Sequence, residues 1–472
     1  MPNRKPNAQH SRFGWLKKFD WSFTAFIASL CGITFGYGLA AAHWNLFPYT
    51  QLLHARMAYS ALMQLSDSQI EFNTVKIEEG ADSVRQVSKL DPRAGNELLL
   101  VTGGPSQDAE HCPKFGCLAW IVDRKGKVLH SWPLKLEEMF AHSEGFYGPK
   151  NISHFYPIGL QLLDDGSLIA TFQGFHRYPY AAGLARIAWN GDIIWKHVDF
   201  SHHWPKVGPD GTIYAPTFVG TKMEYFGDTA IKTECETPVY NEGVRIYGPD
   251  GKIRKTILLA EALEKSGYTG LLYGLRDGCD PVHLNSIDVV TPDLVGKVPD
   301  AAAGDLLVSL RESSSLALVG TTSGLVKHVF GGHTAAQHSA HFLPDGNVLV
   351  FDNLGGDRTL GGSRIVQLDL IHDKAQTVYP RKDDPLLPFS SSNGGHISIS
   401  PDGKRAITSS KDQGRAIEFD IATGKPLWTM TEVLDLGPFL SEDRKSKKPV
   451  AAWFKLWGTY YVPPEQAKKL PL

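Results

Sequence analysis

Three histidines recur at nearly the same distance ahead of a glycine turn. His203 stands eight residues before Gly211, His338 eight before Gly346, and His396 seven before Gly403. His283 opens a comparable segment, Asp280-Pro-Val-His-Leu-Asn-Ser286, and Arg311 follows on the next apolar run, LLVSLRESSSLALV. Equivalent positions of a repeat occupy equivalent places in a radial fold, so these side chains are expected to converge on one axis. An imidazole can attack sulfur or phosphorus, or move protons, near neutral pH. Arginine offers a planar fork to sulfate or phosphate oxygens. An asparagine such as Asn285 can donate to charge that develops in a transition state. The set suits transfer of an anionic group between oxygens. Any one of these histidines alone reads as an inter-blade hydrogen-bonding residue; repetition at channel positions favours chemistry. No metal is expected. Metal-ligating histidines come with a carboxylate ligand or outer partner, which is not obvious at these positions, and no Cys-x-x-Cys pair occurs. No cofactor is expected either.

The elements that would carry these residues are short strands. Asp-Gly turns stand at Asp165-Gly166, Asp210-Gly211, Asp250-Gly251, Asp345-Gly346 and Asp402-Gly403, each between alternating or β-branched runs such as LQLLDDGSLIATF and HFLPDGNVLVFDN. Asp-Gly between such runs is a hairpin signal. A second set of six hairpins lies further along each unit: CLAWIVDRKGKVLHSWP, LARIAWNGDIIWKHV, VRIYGPDGKIRKTIL, LALVGTTSGLVKHVF, RIVQLDLIHDKAQTV and AIEFDIATGKPLWTM. Six four-stranded units repeated radially make an all-β, six-bladed β-propeller. The expected blades are 97–135, 156–198, 203–259, 283–330, 338–380 and 395–430. A pair of β-sandwiches would not explain six similar outer hairpins.

The remaining segments set the compartment. Residues 1–20 carry Arg4, Lys5, Arg12, Lys17 and Lys18 against the single acid Asp20. Trp21–Ala42 has no charge and is long enough to cross a bilayer. The expectation is a cytoplasmic basic segment (1–20), a transmembrane helix that anchors the chain in the inner membrane (21–43), a short helical stalk or linker (44–96), the propeller on the periplasmic side (97–430) and a C-terminal extension (431–472). A cleaved signal peptide is the alternative, since Ala40 and Ala42 suit the small-residue rule. Within the stalk, Leu53, Met57, Ala61 and Leu65 recur at helical spacing. The extension, with AAWFKLWGTYYV, is expected to pack on the propeller or touch the membrane surface. Outside the apolar run stand four cysteines, Cys112, Cys117, Cys235 and Cys279; a Cys112–Cys117 loop suits an oxidising compartment. With 48 basic and 50 acidic residues, no excess charge exists to neutralise a phosphate backbone, so nucleic acid is not an expected partner.

The motifs together resemble the bacterial arylsulfotransferase family. The resemblance rests on His283-Leu-Asn285-Ser286, on Arg311 in the following strand, on Gln337-His338-x-x-His-x-x-Pro-Asp-Gly346-Asn-x-x-x-Phe-Asp-Asn353, and on paired His202-His203 before a Pro-Asp-Gly turn. It implies a six-bladed propeller that moves a sulfuryl group from a phenolic sulfate ester to a phenol through a sulfated histidine, without a nucleotide donor. His338 then matches the nucleophile. His283, Asn285 and Arg311 match the groups that bind the sulfuryl oxygens and assist proton transfer, and His203 matches the remaining site histidine. His202, His396 and Asn353 complete the expected substrate-binding set. Trp204 stands where the family often has Asp. Members can carry an N-terminal β-sandwich that supports a dimer, and none is legible here, which leaves the oligomeric state open. The competing reading is a non-catalytic, membrane-anchored propeller that binds a glycan, peptide or partner protein. A quinone-dependent propeller dehydrogenase would show eight blades and periodic tryptophans, which the sequence lacks.

Overall fold

A computed structural model describes residues 21–44, 46–48, 74–81, 86–103, 112, 116–140, 155–174, 180–221, 224–233, 235, 239–275, 278–435 and 448–472. The chain divides into two units, residues 1–66 and 67–472. In the first unit, the uncharged run forms one helix, Trp21–His43. At about 1.5 Å per residue it is long enough to span a bilayer core, and its large apolar side chains are exposed. The basic segment 1–20 and most of the expected stalk helix lie outside the described residues.

The second unit is a six-bladed propeller. Its blades, listed from the inner strand outward, begin with 155–162, 168–174, 181–187 and 193–197 for blade 2. Blade 3 uses 206–207, 213–221, 239–247 and 253–258; blade 4 uses 284–289, 306–310, 315–319 and 326–331; blade 5 uses 338–342, 348–352, 364–369 and 374–379. Blade 6 uses 396–399, 405–410, 415–420 and 426–431, with 86–89 added as a fifth, outermost strand. These blades start and end within a few residues of the expected ones.

Blade 1 corrects the sequence reading. Residues 98–133 supply only its three outer strands, 98–103, 117–122 and 128–133; the inner strand is Leu456–Val462, paired antiparallel with Leu98–Gly103. The propeller therefore does not end at 430. The ring is closed by hydrogen bonds between Leu98–Gly103 and Leu456–Val462, near the two ends of the propeller's chain, which completes blade 1 as a four-stranded sheet. The expected linker 44–96 is also not helical where it is described. Thr74–Glu79 and Gln86–Lys89 are strands, paired with Val450–Phe454 and Pro426–Thr431 respectively. Thr, Val and Ile in TVKIEE favour a pleated strand over a helix.

The core lies between blades. The middle strands are buried on both faces, so they read as near-continuous apolar runs such as LLVSL, SLALV and VLVFD. Apolar clusters fill all six interfaces: blades 1–2, 2–3, 3–4, 4–5, 5–6 and 6–1. The five Asp-Gly turns share one construction. The Asp side chain accepts from the backbone N–H two residues on, at 3.0–3.2 Å, and the glycine takes a left-handed φ. Two disulfides form, Cys112–Cys117 as expected and Cys235–Cys279, which ties the approach to blade 3's third strand to the loop before His283.

Candidate functional site

Register explains which histidines meet. The position eight residues before the turn glycine is Ile158 in blade 2, His203 in blade 3, His338 in blade 5 and Gly395 in blade 6. Ile158, His203 and His338 line one cavity of about 600 Å³, together with His283 and Arg311 from blade 4. The position seven residues before is Trp204 in blade 3 and His396 in blade 6. His396 lines a different cavity, of about 350 Å³, with Lys206, Asp288, His341 and Tyr460. Trp204 belongs to both walls, its ring 6.2 Å from His338 on one side and 5.8 Å from His396 on the other. His396 therefore does not join the other histidines. A one-residue offset along a strand turns its side chain away from them.

The remaining three histidines converge. Ring nitrogens of His203, His283 and His338 lie within 4.8 Å of one another. Each ring is held from behind through Nδ1. His338 donates from Nδ1 to Oδ1 of Asn353 at 2.7 Å. The Asn353 amide nitrogen donates to the carbonyls of Ser391 and Gly394, at 2.8 and 2.6 Å, so its oxygen must face the imidazole. That fixes the tautomer: Nδ1 carries the proton, and Nε2 presents a lone pair. Gly394 N–H approaches that Nε2 at 3.4 Å. Burial, with the charges of His283 and Arg311, pulls the His338 pKa down to about 3, so the ring is neutral at physiological pH.

His283 is held by a carboxylate. Its Nδ1 lies 2.7 Å from Oδ2 of Asp280. Behind Asp280 stands Glu242, fully buried, which also accepts from the backbone N–H of Leu284. Burial, with the neighbouring Asp280 carboxylate, pushes Glu242 well above the usual carboxyl range, so it sits as a carboxylic acid hydrogen-bonded to Asp280. Burial opposes ionisation of Asp280 as well, but the adjacent His283 and the Glu242 hydrogen bond outweigh it and hold its pKa below the ordinary value. The Tyr180 hydroxyl reaches both carboxyl groups at 3.3 Å. His203 is buried and contacts His202 Nδ1 through its own Nδ1 at 2.6 Å. Burial and the surrounding histidines keep its pKa well below the usual value. His203 and His283 both adopt left-handed backbone, φ 48° and 50°. That conformation is uncommon for a non-glycine residue, and such residues cluster at functional sites. The close approach needs Gly159, where a Cβ would come 2.3 Å from the His203 carbonyl oxygen.

The rest of the cavity wall is cationic and aromatic. Arg311, Lys411 and Lys455 line it, with Asp412 as the carboxylate among the lining residues. Lys411 Nζ contacts Asn393 Oδ1 and lies 5.0 Å from the centre of the Trp457 ring. Burial lowers the pKa of both lysines from the usual value. Trp457 and Tyr156 stack at 5.2 Å. Such a wall suits a flat aromatic group that carries negative charge.

Three expected ligand contacts are placed differently. Asn285 does not line the cavity. It is fully buried, and its Nδ2 donates to the Gln337 carbonyl at 2.8 Å, which steadies the residue before His338. Its Oδ1 has no hydrogen-bond partner. Asn353 lies behind His338, and His202 lies behind His203, fully buried with Nε2 3.6 Å from Glu242. Side chains on the far face of an inner strand or loop cannot reach the axis. Sequence reasoning missed Asp280, Glu242, Tyr180, Tyr156, Lys411, Lys455 and Trp457. Asp280 was legible three residues before His283. Lys411, Lys455 and Trp457 carry no motif.

No curated protein matches the chain in sequence. Among solved structures, a Bacteroides caccae protein of unknown function aligns at 12% identity and a TM-score of 0.40, over 76% of this chain and 99% of that one. Kuenenia stuttgartiensis hydrazine synthase aligns at 14% and 0.37, over 65% and 71%. A catalytically inactive virginiamycin B lyase from Staphylococcus aureus with quinupristin aligns at 12% and 0.38, over 72% and 87%. A family model does match: residues 257–432, from the end of blade 3 through blade 6, match arylsulfotransferase (ASST). That match covers somewhat over a third of the chain, and together with the six-bladed propeller built around those residues it supports an arylsulfotransferase-family protein.

Proposed function

We propose that the protein is an arylsulfate sulfotransferase that works through a sulfated His338, held in the inner membrane by its apolar helix with the propeller on the periplasmic side. The observation that carries the reading is the His338 tautomer, fixed by Asn353, with Nε2 directed to a cavity that is cationic on one wall and aromatic on another. The basic residues before the helix favour the cytoplasm, and two disulfides in the propeller favour an oxidising compartment on the other side.

In the first half-reaction, Arg311 and the lysines hold the sulfate ester's oxygens, and the phenyl ring lies against Tyr156 and Trp457. His338 Nε2 attacks sulfur; the N–S bond forms as the S–O bond to the phenol breaks. The leaving phenolate takes a proton from Nε2 of His283, whose Nδ1 stays with Asp280. His338 keeps its Nδ1 proton, so the adduct is a sulfuryl-imidazolium, a good leaving group. In the second half, an acceptor phenol enters the vacated position, gives its proton to His283 and takes the sulfuryl group. Trp204 stands in the wall between this cavity and the neighbouring one, and donor and acceptor phenols occupy the same position in turn, as in a ping-pong sequence.

Brief incubation with an aryl sulfate, alkaline quench and peptide mass mapping tests this directly. The expected result is one sulfuryl group on the peptide containing His338, removed by acid or by added phenol. Wild-type protein that never acquires that mass from any aryl sulfate would overturn the reading in favour of a binding propeller.

A further inference from the structure

Beyond sulfuryl transfer, the three converging imidazoles have the construction of a metal centre. Histidine ligands of metals present one ring nitrogen inward while the other is held by a carboxylate or carbonyl behind. The rings of His283 and His338 meet this description, and His203 has a second imidazole behind it instead. Nδ1 is engaged by Asp280 for His283, by Asn353 for His338 and by His202 for His203, at 2.7, 2.7 and 2.6 Å. That leaves Nε2 of His203 and His283 for the cavity, and Nε2 of His338 with only a long contact from Gly394 N–H at 3.4 Å; ring nitrogens of the three lie within 4.8 Å of one another. A tetrahedral zinc ion with Zn–N bonds near 2.05 Å needs ligand nitrogens about 3.3 Å apart, so each ring would move less than about 1 Å. The fourth position would face the open cavity beside Arg311 and Lys411.

We propose that His203, His283 and His338 form a three-imidazole site for a divalent transition-metal ion of the zinc type. We infer further that metal occupancy and attack by His338 exclude each other, because both use the same lone pair. The first statement stands on geometry alone, and the second rests on the sulfotransferase reading. Zinc in the medium would then switch the enzyme off, and chelation would restore it.

The test uses the full-length, detergent-solubilised protein, stripped with EDTA and dialysed. Titration with Zn²⁺ should give one site per chain, and Co²⁺ in its place should give the visible absorption of a four-coordinate ion. His283→Gln and His203→Gln should each weaken binding at least tenfold, with thermal melts showing that they remain folded. Asp280→Asn, which leaves all three ligands in place, should weaken it about 10- to 100-fold, as loss of an outer partner does. Zn²⁺ should lower kcat for an aryl sulfate, and EDTA should reverse this. Absence of a one-to-one site, or binding unchanged in the His203→Gln/His283→Gln double variant, overturns the site. Metal bound at the site with turnover untouched overturns the exclusion. Protein that binds Zn²⁺ but turns over no aryl sulfate leaves the site standing while the sulfotransferase reading falls.

Discussion

Asn353 holds His338 in one tautomer: its oxygen accepts from Nδ1 at 2.7 Å while its nitrogen is bound to two backbone carbonyls. The amide cannot flip without facing two acceptors with a third. This converts an ambiguous imidazole into one whose Nε2 always bears the lone pair. Asn353→Ala should therefore lower aryl-sulfate turnover by about 10²- to 10⁴-fold, the scale on which a catalytic imidazole depends on its orienting partner. It should also leave buried polar groups unsatisfied at about 1–3 kcal/mol each. Steady-state kinetics and a denaturant melt on the same sample read both. Wild-type turnover in a folded Asn353→Ala protein would refute the tautomer argument.

Asp280 and Glu242 share one negative charge behind His283, which suits a residue that must give a proton and take it back. Asp280→Asn should impair proton donation to the leaving phenol. The loss should grow with the phenol's basicity: small for a nitrophenyl sulfate, and approaching the 10²–10⁴-fold value of general acid catalysis for unsubstituted phenyl sulfate. A purely structural role would slow every donor equally. The measurement is the dependence of log(kcat/KM) on leaving-group pKa, which should steepen in the variant.

Much of this architecture is written locally and was legible. The Asp-Gly turns and the outer hairpins mark the blades because each is a short-range signal with its own backbone chemistry. The His203 and His338 spacing placed two residues correctly for the same reason. His396 shows the limit: one residue of offset moved it to the far side of Trp204. Ring closure by Leu456–Val462 was not legible, because a pairing between strands more than 350 residues apart leaves no local trace. The places of Asn285 and Asn353 behind the cavity wall were not legible for a related reason. Sequence spacing gives the strand or loop a residue occupies, but whether its amide faces the axis or the neighbouring backbone depends on loops from another blade. Lys411 and Trp457 reach the cavity from elements that carry no motif.

The Cys235–Cys279 disulfide bears on the site because Cys279 adjoins Asp280. Its closure of a 44-residue separation stabilises the fold by about 4 kcal/mol in the chain-entropy picture. Paired Cys235→Ser/Cys279→Ser replacement should lower thermal stability and slow turnover in the manner of Asp280→Asn, with the same sensitivity to leaving-group basicity. Replacing Cys112 and Cys117 should cost stability without that signature. Parallel melts and leaving-group series on the two double variants distinguish them; identical kinetic profiles would show that the Cys235–Cys279 link does not position Asp280.

The seam between blades 6 and 1, where the ring closes, is held by charge as well as by packing. Arg405 of blade 6 reaches Glu97 ahead of blade 1 and Glu418 of its own blade, the latter at 2.9 Å. Arg124 of blade 1 also contacts Glu418, and the Tyr461 hydroxyl, on the closing strand, donates to it at 2.7 Å. Glu418 is fully buried, so removing it leaves two guanidinium groups facing each other across the seam without their shared counter-charge. Glu418→Ala should therefore destabilise the propeller by about 3–5 kcal/mol, the usual penalty for breaking a buried pair from one side. The pH dependence has a definite sign. Burial opposes ionisation of Glu97, but its hydrogen bonds to Arg405 outweigh this and hold its pKa below the usual 4.5. A carboxyl depressed in the folded state contributes stability that is present above the unfolded pKa and lost as pH falls through the folded one. Thermal melts from pH 7 to pH 3 should thus fall steeply below about pH 4.5. In Glu97→Gln the neutral-pH stability should be lower and the acid slope shallower. An acid slope identical to wild type in Glu97→Gln would show that the seam does not rely on this carboxylate.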